Sequence, residues 1–233
     1  MLTIRKAQDR GHFDHGWLDT YHSFSFAGYY DPAHMGFGPL RVINDDTIAP
    51  GAGFPTHGHR NMEIITYVLD GALEHRDSTG RSEILRPGEV QRISAGAGIT
   101  HSEYNPSISE PVHLLQIWLL PSESGGAPAY EQRTYPETSR CGRLCPVASP
   151  TGADGAIPIK QEATVYVSVL DSNDRVSHDL GPNRKAWIQV ARGSIHVNGE
   201  RLSAGDGAAI EGATRVDLAA AGEHSDVILF DLP

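Results

Sequence analysis

Two short motifs, His57-Gly58-His59 and His101-Ser102-Glu103, contain the residue types that ligate first-row metals. In each, one residue separates the two donors. Side chains two apart on a β-strand project from the same face. Two such strands facing each other across a small barrel would bring three imidazoles and a carboxylate together. That donor set suits a divalent first-row metal and leaves room for an outside ligand. With 12 histidines among 233 residues, a lone H-x-H pair arises readily by chance. The flanks single these two out. Gly51-Ala52-Gly53-Phe54-Pro55 leads into the first motif, which runs on into 63–71, and the second follows 87–100. Both blocks read as strands between glycine turns.

The elements that must carry these motifs are strands throughout. Little of the chain has helical period. Short β-branched or aromatic runs at 64–69, 112–120, 165–170, 187–190 and 227–232 are separated by glycine turns, and the chain holds 25 Gly and 15 Pro. This pattern predicts an all-β fold. An internal repeat refines it: V-x-x-G-x-[LI] followed by L-x-x-G-[DE]-x-x-x-I occurs at Val68–Ile93 and again at Val190–Ile210. Two homologous barrels follow from the repeat. Carrying the spacings over puts Asp179 and Gly181 where His57 and His59 stand, and Leu218 and Ala220 where His101 and Glu103 stand. His178 falls one residue off and is expected to face the other way. The predicted layout is a metal-binding barrel over 1–122, a Pro/Gly-rich connector over 123–158, and a barrel without metal ligands over 159–233.

The formal net charge is −10, and no Lys/Arg run exceeds two residues, which argues against a direct nucleic-acid surface. The first residues lack an apolar signal region and no stretch reaches membrane-spanning length, so the cytoplasm is expected and no membrane partner. Cys141 and Cys145, spaced C-x3-C, fit neither a redox C-x-x-C nor a zinc site of their own and read as surface thiols.

Several segments resemble the cupin superfamily, whose first motif G-x5-H-x-H-x3,4-E-x6-G is matched by Gly51, His57, His59 and Glu63, with Gly71 one residue late. More narrowly the chain is similar to pirin-like bicupins, of the short bacterial type described as quercetin 2,3-dioxygenases. The similarity rests on Gly16-Trp17-Leu18-Asp19, Phe24-Ser25-Phe26, Tyr30-Asp31-Pro32, Met35-Gly36-Phe37, Leu40–Asn44, His57-x-His59-x3-Glu63, and Ser94-Ala95-Gly96-x-Gly98-Ile99-x-His101-Ser102-Glu103. The two patterns differ over the carboxylate. A typical cupin would use Glu63; pirin-like proteins use the glutamate here numbered 103. Spacing favours Glu103, which shares a strand face with His101, and leaves Glu63 as a supporting acceptor behind the ligands or a polar group turned to another partner.

The resemblance implies two tandem cupin (jelly-roll) barrels and one divalent metal per chain held by His57, His59, His101 and Glu103. Iron(II) is the family expectation; zinc, manganese, nickel, cobalt and copper suit the same donors. It also implies cleavage of a flavonol such as quercetin by O2, with release of carbon monoxide, Glu103 serving as general base as well as ligand. Two other roles fit the same site: a metal-dependent regulatory protein with a protein partner, and a different cupin reaction on a small metabolite. Gln116, among Leu114 and Trp118 on an apolar strand, either faces the metal and substrate or bonds neighbouring backbone. Phe54 and Met62, flanking the H-x-H strand, are the foremost pocket candidates, with Phe24, Phe26 and Phe37 behind them. His75, His196 and His224 read as solvent-facing, and His113 as packed or exposed without a role.

Overall fold

Strands account for nearly all regular structure in the computed structural model, which describes all of residues 1–233. The chain opens with β1 (Leu2–Arg5). A first barrel follows through β2 (Gly11–Asp14), β3 (Leu18–His22), β4 (Leu40–Ile48), β5 (Gly53–His59) and β6 (Glu63–Asp70). It continues with β7 (Leu73–Asp77), β8 (Ser82–Leu85), β9 (Glu89–Ser94), β10 (Ile99–Tyr104), β11 (Val112–Leu119) and β12 (Ala129–Thr134). A second barrel begins with β13 (Cys145–Ser149), β14 (Ile157–Pro158), β15 (Thr164–Leu170), β16 (Arg175–Asp179) and β17 (Lys185–Arg192). Its remaining strands are β18 (Ser194–Val197), β19 (Glu200–Ser203), β20 (Gly207–Ile210), β21 (Arg215–Ala220) and β22 (Ser225–Leu232). The only α-helix, Glu137–Arg140, is a single turn, and no helix is long and apolar enough to cross a membrane.

In the first barrel a seven-stranded sheet, β12-β9-β6-β11-β4-β3-β2, packs with a four-stranded one, β5-β10-β7-β8. The second repeats this plan as β1-β20-β17-β22-β15-β13-β14 with β16-β21-β18-β19. The shared order β9-β6-β11-β4 against β20-β17-β22-β15 is the structural form of the sequence repeat. Its glycines have a physical cause. Gly71 and Gly193 hold φ of 76° and 72°, the left-handed region. A Cβ on Gly71 would also lie 2.6 Å from the Pro111 carbonyl oxygen, and one on Gly193 would lie 2.5 Å from Ser225 Oγ.

The division of the chain differs from the sequence expectation. Residues 11–134 with 159–161 form one compact unit, and 1–10, 135–158 and 162–233 form the other. Residues 1–10 join the C-terminal barrel because β1 pairs along β20, Leu2 opposite Ile210 and Arg5 opposite Gly207. The stretch expected as a connector is folded into both sheets: β12 edges the first barrel, and β13 and β14 build the second. Cys145, expected at the surface, is buried in β13; Cys141 is partly exposed, and both are free thiols.

The second barrel is filled by one continuous apolar cluster that includes Ile188, Val197, Ala208, Val216, Leu218 and Leu229. The first has two smaller clusters, one around Val68, Leu73 and Leu114 and one around Ile64, Ile93 and Ile99. Buried polar residues occupy its interior besides these.

Candidate metal centre

β10 alternates buried and partly exposed positions, so Ile99, His101 and Glu103 point inward. It runs antiparallel to β5, with His101 directly opposite His57 and Ile99 opposite His59. Beyond His101 the register shifts, and Glu103 stands opposite Phe54. The extra residue lies on β5 beside Pro55, which has no N–H to give to a ladder. Gly53 closes this stretch: a Cβ there would sit 2.2 Å from the Glu103 carbonyl oxygen, so only glycine lets β5 lie this close. The result is a packed histidine triangle, with ring centroids 4.5 Å apart for His57–His101, 4.7 Å for His57–His59 and 4.9 Å for His59–His101. One donor nitrogen from each ring falls within 4.8 Å of the other two.

The rings are also in the right chemical form. His57 Nδ1 lies 2.8 Å from the Pro55 carbonyl oxygen, which only accepts, so the proton sits on Nδ1 and Nε2 keeps its lone pair. His101 Nε2 is buried with no hydrogen-bond partner within the protein. Burial, reinforced by the neighbouring imidazoles, lowers His59 to about 4 and His101 to about 3, so both are neutral at physiological pH. A buried neutral imidazole with an unused nitrogen beside two others fits a divalent metal.

Glu103, 2% exposed, is held from both sides. Gln91 Nε2 donates to its Oε1 at 3.0 Å and Gln116 Nε2 donates to its Oε2 at 2.9 Å. Thr66 closes the ring, accepting from Gln91 Nε2 at 3.1 Å and donating to Gln116 Oε1 at 3.2 Å. These partners belong to one cross-strand row, in which Asn44 faces Gln116, Gln116 faces Thr66 and Thr66 faces Gln91. Gln116 thus faces the site rather than bonding backbone. A donor oxygen of Glu103 lies within 4.8 Å of donor nitrogens of His101 and His75.

The other expected residues fare differently. Glu63 is on the outward face of β6, one residue out of phase with the cavity-lining Ile64, and accepts from Ser94 Oγ at 2.7 Å. Burial raises its carboxyl above the usual range. Met62 packs on the Ile64–Ile93–Ile99 cluster instead of lining the cavity. Phe54 does line it, with Phe26; Phe24 is buried in the core. His75 is not solvent-facing: it is fully buried, stacked on Tyr130 at 4.6 Å, and its Nε2 lies 2.9 Å from Asp77 Oδ2. Asp77 is pushed up by burial but pulled down further by hydrogen bonds from His75, Thr79 and Arg81, and ends below the usual carboxylate range. In the second barrel, register places Val216 and Leu218 opposite His178 and Val176. Val216 follows Ile210 by six positions where His101 follows Ile93 by eight, so Val216 and Leu218, not Leu218 and Ala220, match His101 and Glu103. His178 therefore takes the position of His57 and faces inward, where its Nε2 lies 2.7 Å from Asp231 Oδ2.

A cavity of about 330 Å³ opens above the histidines, with Phe26, Phe54, Ile64 and Trp118 as its apolar walls. Asn44 and Asp46 supply polar atoms to it. Burial pushes Asp46 up to about 7 despite the hydroxyl that Thr20 donates to it, and the nearby Asp45 and Glu103 charges add to the rise. Asn44 Oδ1 and Trp118 Nε1 are buried without a partner in the protein. Gln91, Thr66, Asn44, Asp46, His75 and Asp77 were not singled out by sequence. The signal available was a polar residue at an inward strand position, which marked only Gln116.

The family model described as Pirin matches residues 3–119, and that described as the quercetinase C-terminal cupin domain matches residues 146–232. The chain is 48% identical over 233 residues to a quercetin 2,3-dioxygenase of Escherichia coli, covering 100% of this chain and 99% of that one. It is 43% identical to a pirin-like protein of Caulobacter vibrioides, covering 97% and 98%. The crystal structure of the bacterial pirin YhhW of Escherichia coli in complex with nickel(II) superposes with a TM-score of 0.95 at 48% identity, covering 100% of this chain and 99% of that one. The chain belongs to the pirin family, with two cupin barrels.

Proposed function

For this pirin-family chain we propose a metal-dependent 2,3-dioxygenase activity on flavonols such as quercetin, with iron(II) as the metal and carbon monoxide as a product. What carries the proposal is that the clustered His57, His59 and His101 and the doubly anchored Glu103 line one cavity with apolar walls. The relative named quercetin 2,3-dioxygenase and the nickel-bound relative support it. His57, His59, His101 and Glu103 would hold the metal. Once bound, it supplies a Lewis acid for the flavonol 3-hydroxyl and a redox-capable centre that relieves the spin restriction on dioxygen.

The remaining work falls to the protein. Phe26, Phe54, Ile64 and Trp118 accept a flat aromatic ligand and exclude water, and the cavity volume is at the low end of the roughly 300–1,000 Å³ typical of small-molecule pockets. Glu103 takes the proton of the 3-hydroxyl. Each of its oxygens already accepts one amide N–H, which fixes the plane of the carboxylate and leaves lone pairs for the site. In the overall reaction the flavonol heterocycle is cleaved, both atoms of O2 enter the organic product, and one ring carbon leaves as carbon monoxide.

The test is oxygen uptake by anaerobically purified, iron(II)-loaded protein given quercetin, with metal content and headspace carbon monoxide measured on the same sample. Uptake that releases carbon monoxide and disappears in His57→Ala supports the proposal. Full metal occupancy with no uptake overturns it.

A further inference from the structure

Behind His101, on the side away from the cavity, is a chain of three buried groups that none of the proposed ligands accounts for. His101 Nδ1 lies 3.4 Å from His75 Nδ1, and His75 Nε2 lies 2.9 Å from Asp77 Oδ2. The His75 and Asp77 side chains have no exposed surface, and His101 is 2% exposed. Two facing imidazole nitrogens can share only one proton, so the direction of each bond has to be set from one end. Asp77 sets it. Its Oδ1 accepts from Thr79 N at 2.8 Å, Thr79 Oγ1 at 2.6 Å and Arg81 N at 3.4 Å, which leaves Oδ2 to accept from His75 Nε2. With its proton on Nε2, His75 presents a bare Nδ1. His101 must then donate from its own Nδ1, and its Nε2, the atom with no partner in the protein, keeps its lone pair.

We propose that Asp77 and His75 are positioning residues that lock His101 in the Nδ1–H tautomer, so that its Nε2 is the electron-pair donor to the metal. The inference rests on His101 being a ligand and adds how its ligating form is fixed. His57 reaches the same form by a separate route, the Pro55 carbonyl, and so serves as an internal control.

Asp77→Asn is the informative variant. Backbone N–H groups hold Oδ1 as an acceptor, so the asparagine oxygen must stay there and its NH2 must face His75 Nε2. That reverses both imidazoles and places a proton on His101 Nε2. The experiment is nitrogen-15 NMR of histidine tautomers in the metal-free protein, paired with nickel(II) titration by calorimetry. In the unaltered protein His101 should be protonated at Nδ1 and His75 at Nε2. In Asp77→Asn both should switch while His57 does not. Nickel(II) affinity should fall roughly 10- to 100-fold with one ion still bound and the melting temperature near its original value. A His101 that carries its proton on Nε2 in the unaltered protein overturns the proposal, as do unchanged tautomers and affinity in the variant. Should the variant fail to fold, the spectrum of the unaltered protein decides. The tautomers are read without metal or substrate, so they fail or hold independently of oxygen uptake.

Discussion

Across the long sheet of the first barrel, Asn44, Gln116, Thr66 and Gln91 stand in one row. At the same register the second barrel has Tyr166, Leu229, Ile188 and Ala208. On the short sheets, His75 opposite Glu103 becomes Val197 opposite Leu218, and His57 opposite His101 becomes His178 opposite Val216. Strand order and pairing survive while the interior chemistry is exchanged. A buried polar group must be hydrogen-bonded, so a site like this comes as a complete set. Glu103 needs Gln91 and Gln116, and those amides need Thr66 between them. The second barrel has lost the set together, and its remaining His178 is taken up by Asp231, which Arg184 also contacts.

The comparison can be broken most directly at the ligands. His101→Ala should abolish stoichiometric metal binding and all turnover, whereas His178→Ala should leave both unchanged; metal analysis of the two purified variants checks this. Glu103→Gln should retain some metal but lose turnover by roughly 10²- to 10⁴-fold, the range of a general base. Its new NH2 would also face an amide NH2 of Gln91 or Gln116. Oxygen uptake at matched metal content reads the loss, and undiminished turnover would remove Glu103 from the base role.

Leu218→Ala, at the position matching Glu103, tests the apolar side. It should cost about 2–5 kcal/mol of stability, read by denaturant unfolding, without altering metal content. The smallest effect belongs to Asp46. Its pKa is raised in the fold to about 7, so between the unfolded carboxylate value and 7 the native state binds more protons, and stability is lost as pH rises through that window. Asp46→Asn should therefore raise the melting temperature more at pH 8 than at pH 5. An equal change at both would show that Asp46 does not titrate as described.

The proposed ligands were legible because H-x-H and H-x-E are spacings within one strand, and the two-barrel plan because its glycines recur where backbone geometry demands them. What surrounds the ligands was not. Thr66 and Gln116 are 50 residues apart and Gln91 and Thr66 are 25 apart, so strand register alone brings them together. Glu74-His75-Arg76-Asp77 reads as an exposed charged hairpin strand, whereas in the fold Tyr130 of β12 stacks on His75 and His101 packs beside it. The general cupin motif counts Glu63 near the histidines, but the two-residue period of β6 turns it toward another partner, Ser94, one of the two roles its spacing left open.

The pairing of β1 with β20 bears on how the chain is made. Leu2 is translated well before its partner Ile210, which lies 208 residues further along the chain (210 − 2). The barrel of 11–134 has nearly all its strands as soon as β12 is out, while the second must wait with its opening strand already translated. Dissecting the protein at the midpoint would separate β1 from β20 and leave a sheet edge unpaired, a template for aggregation. A soluble C-terminal fragment would need residues 1–10 supplied, for instance by circular permutation.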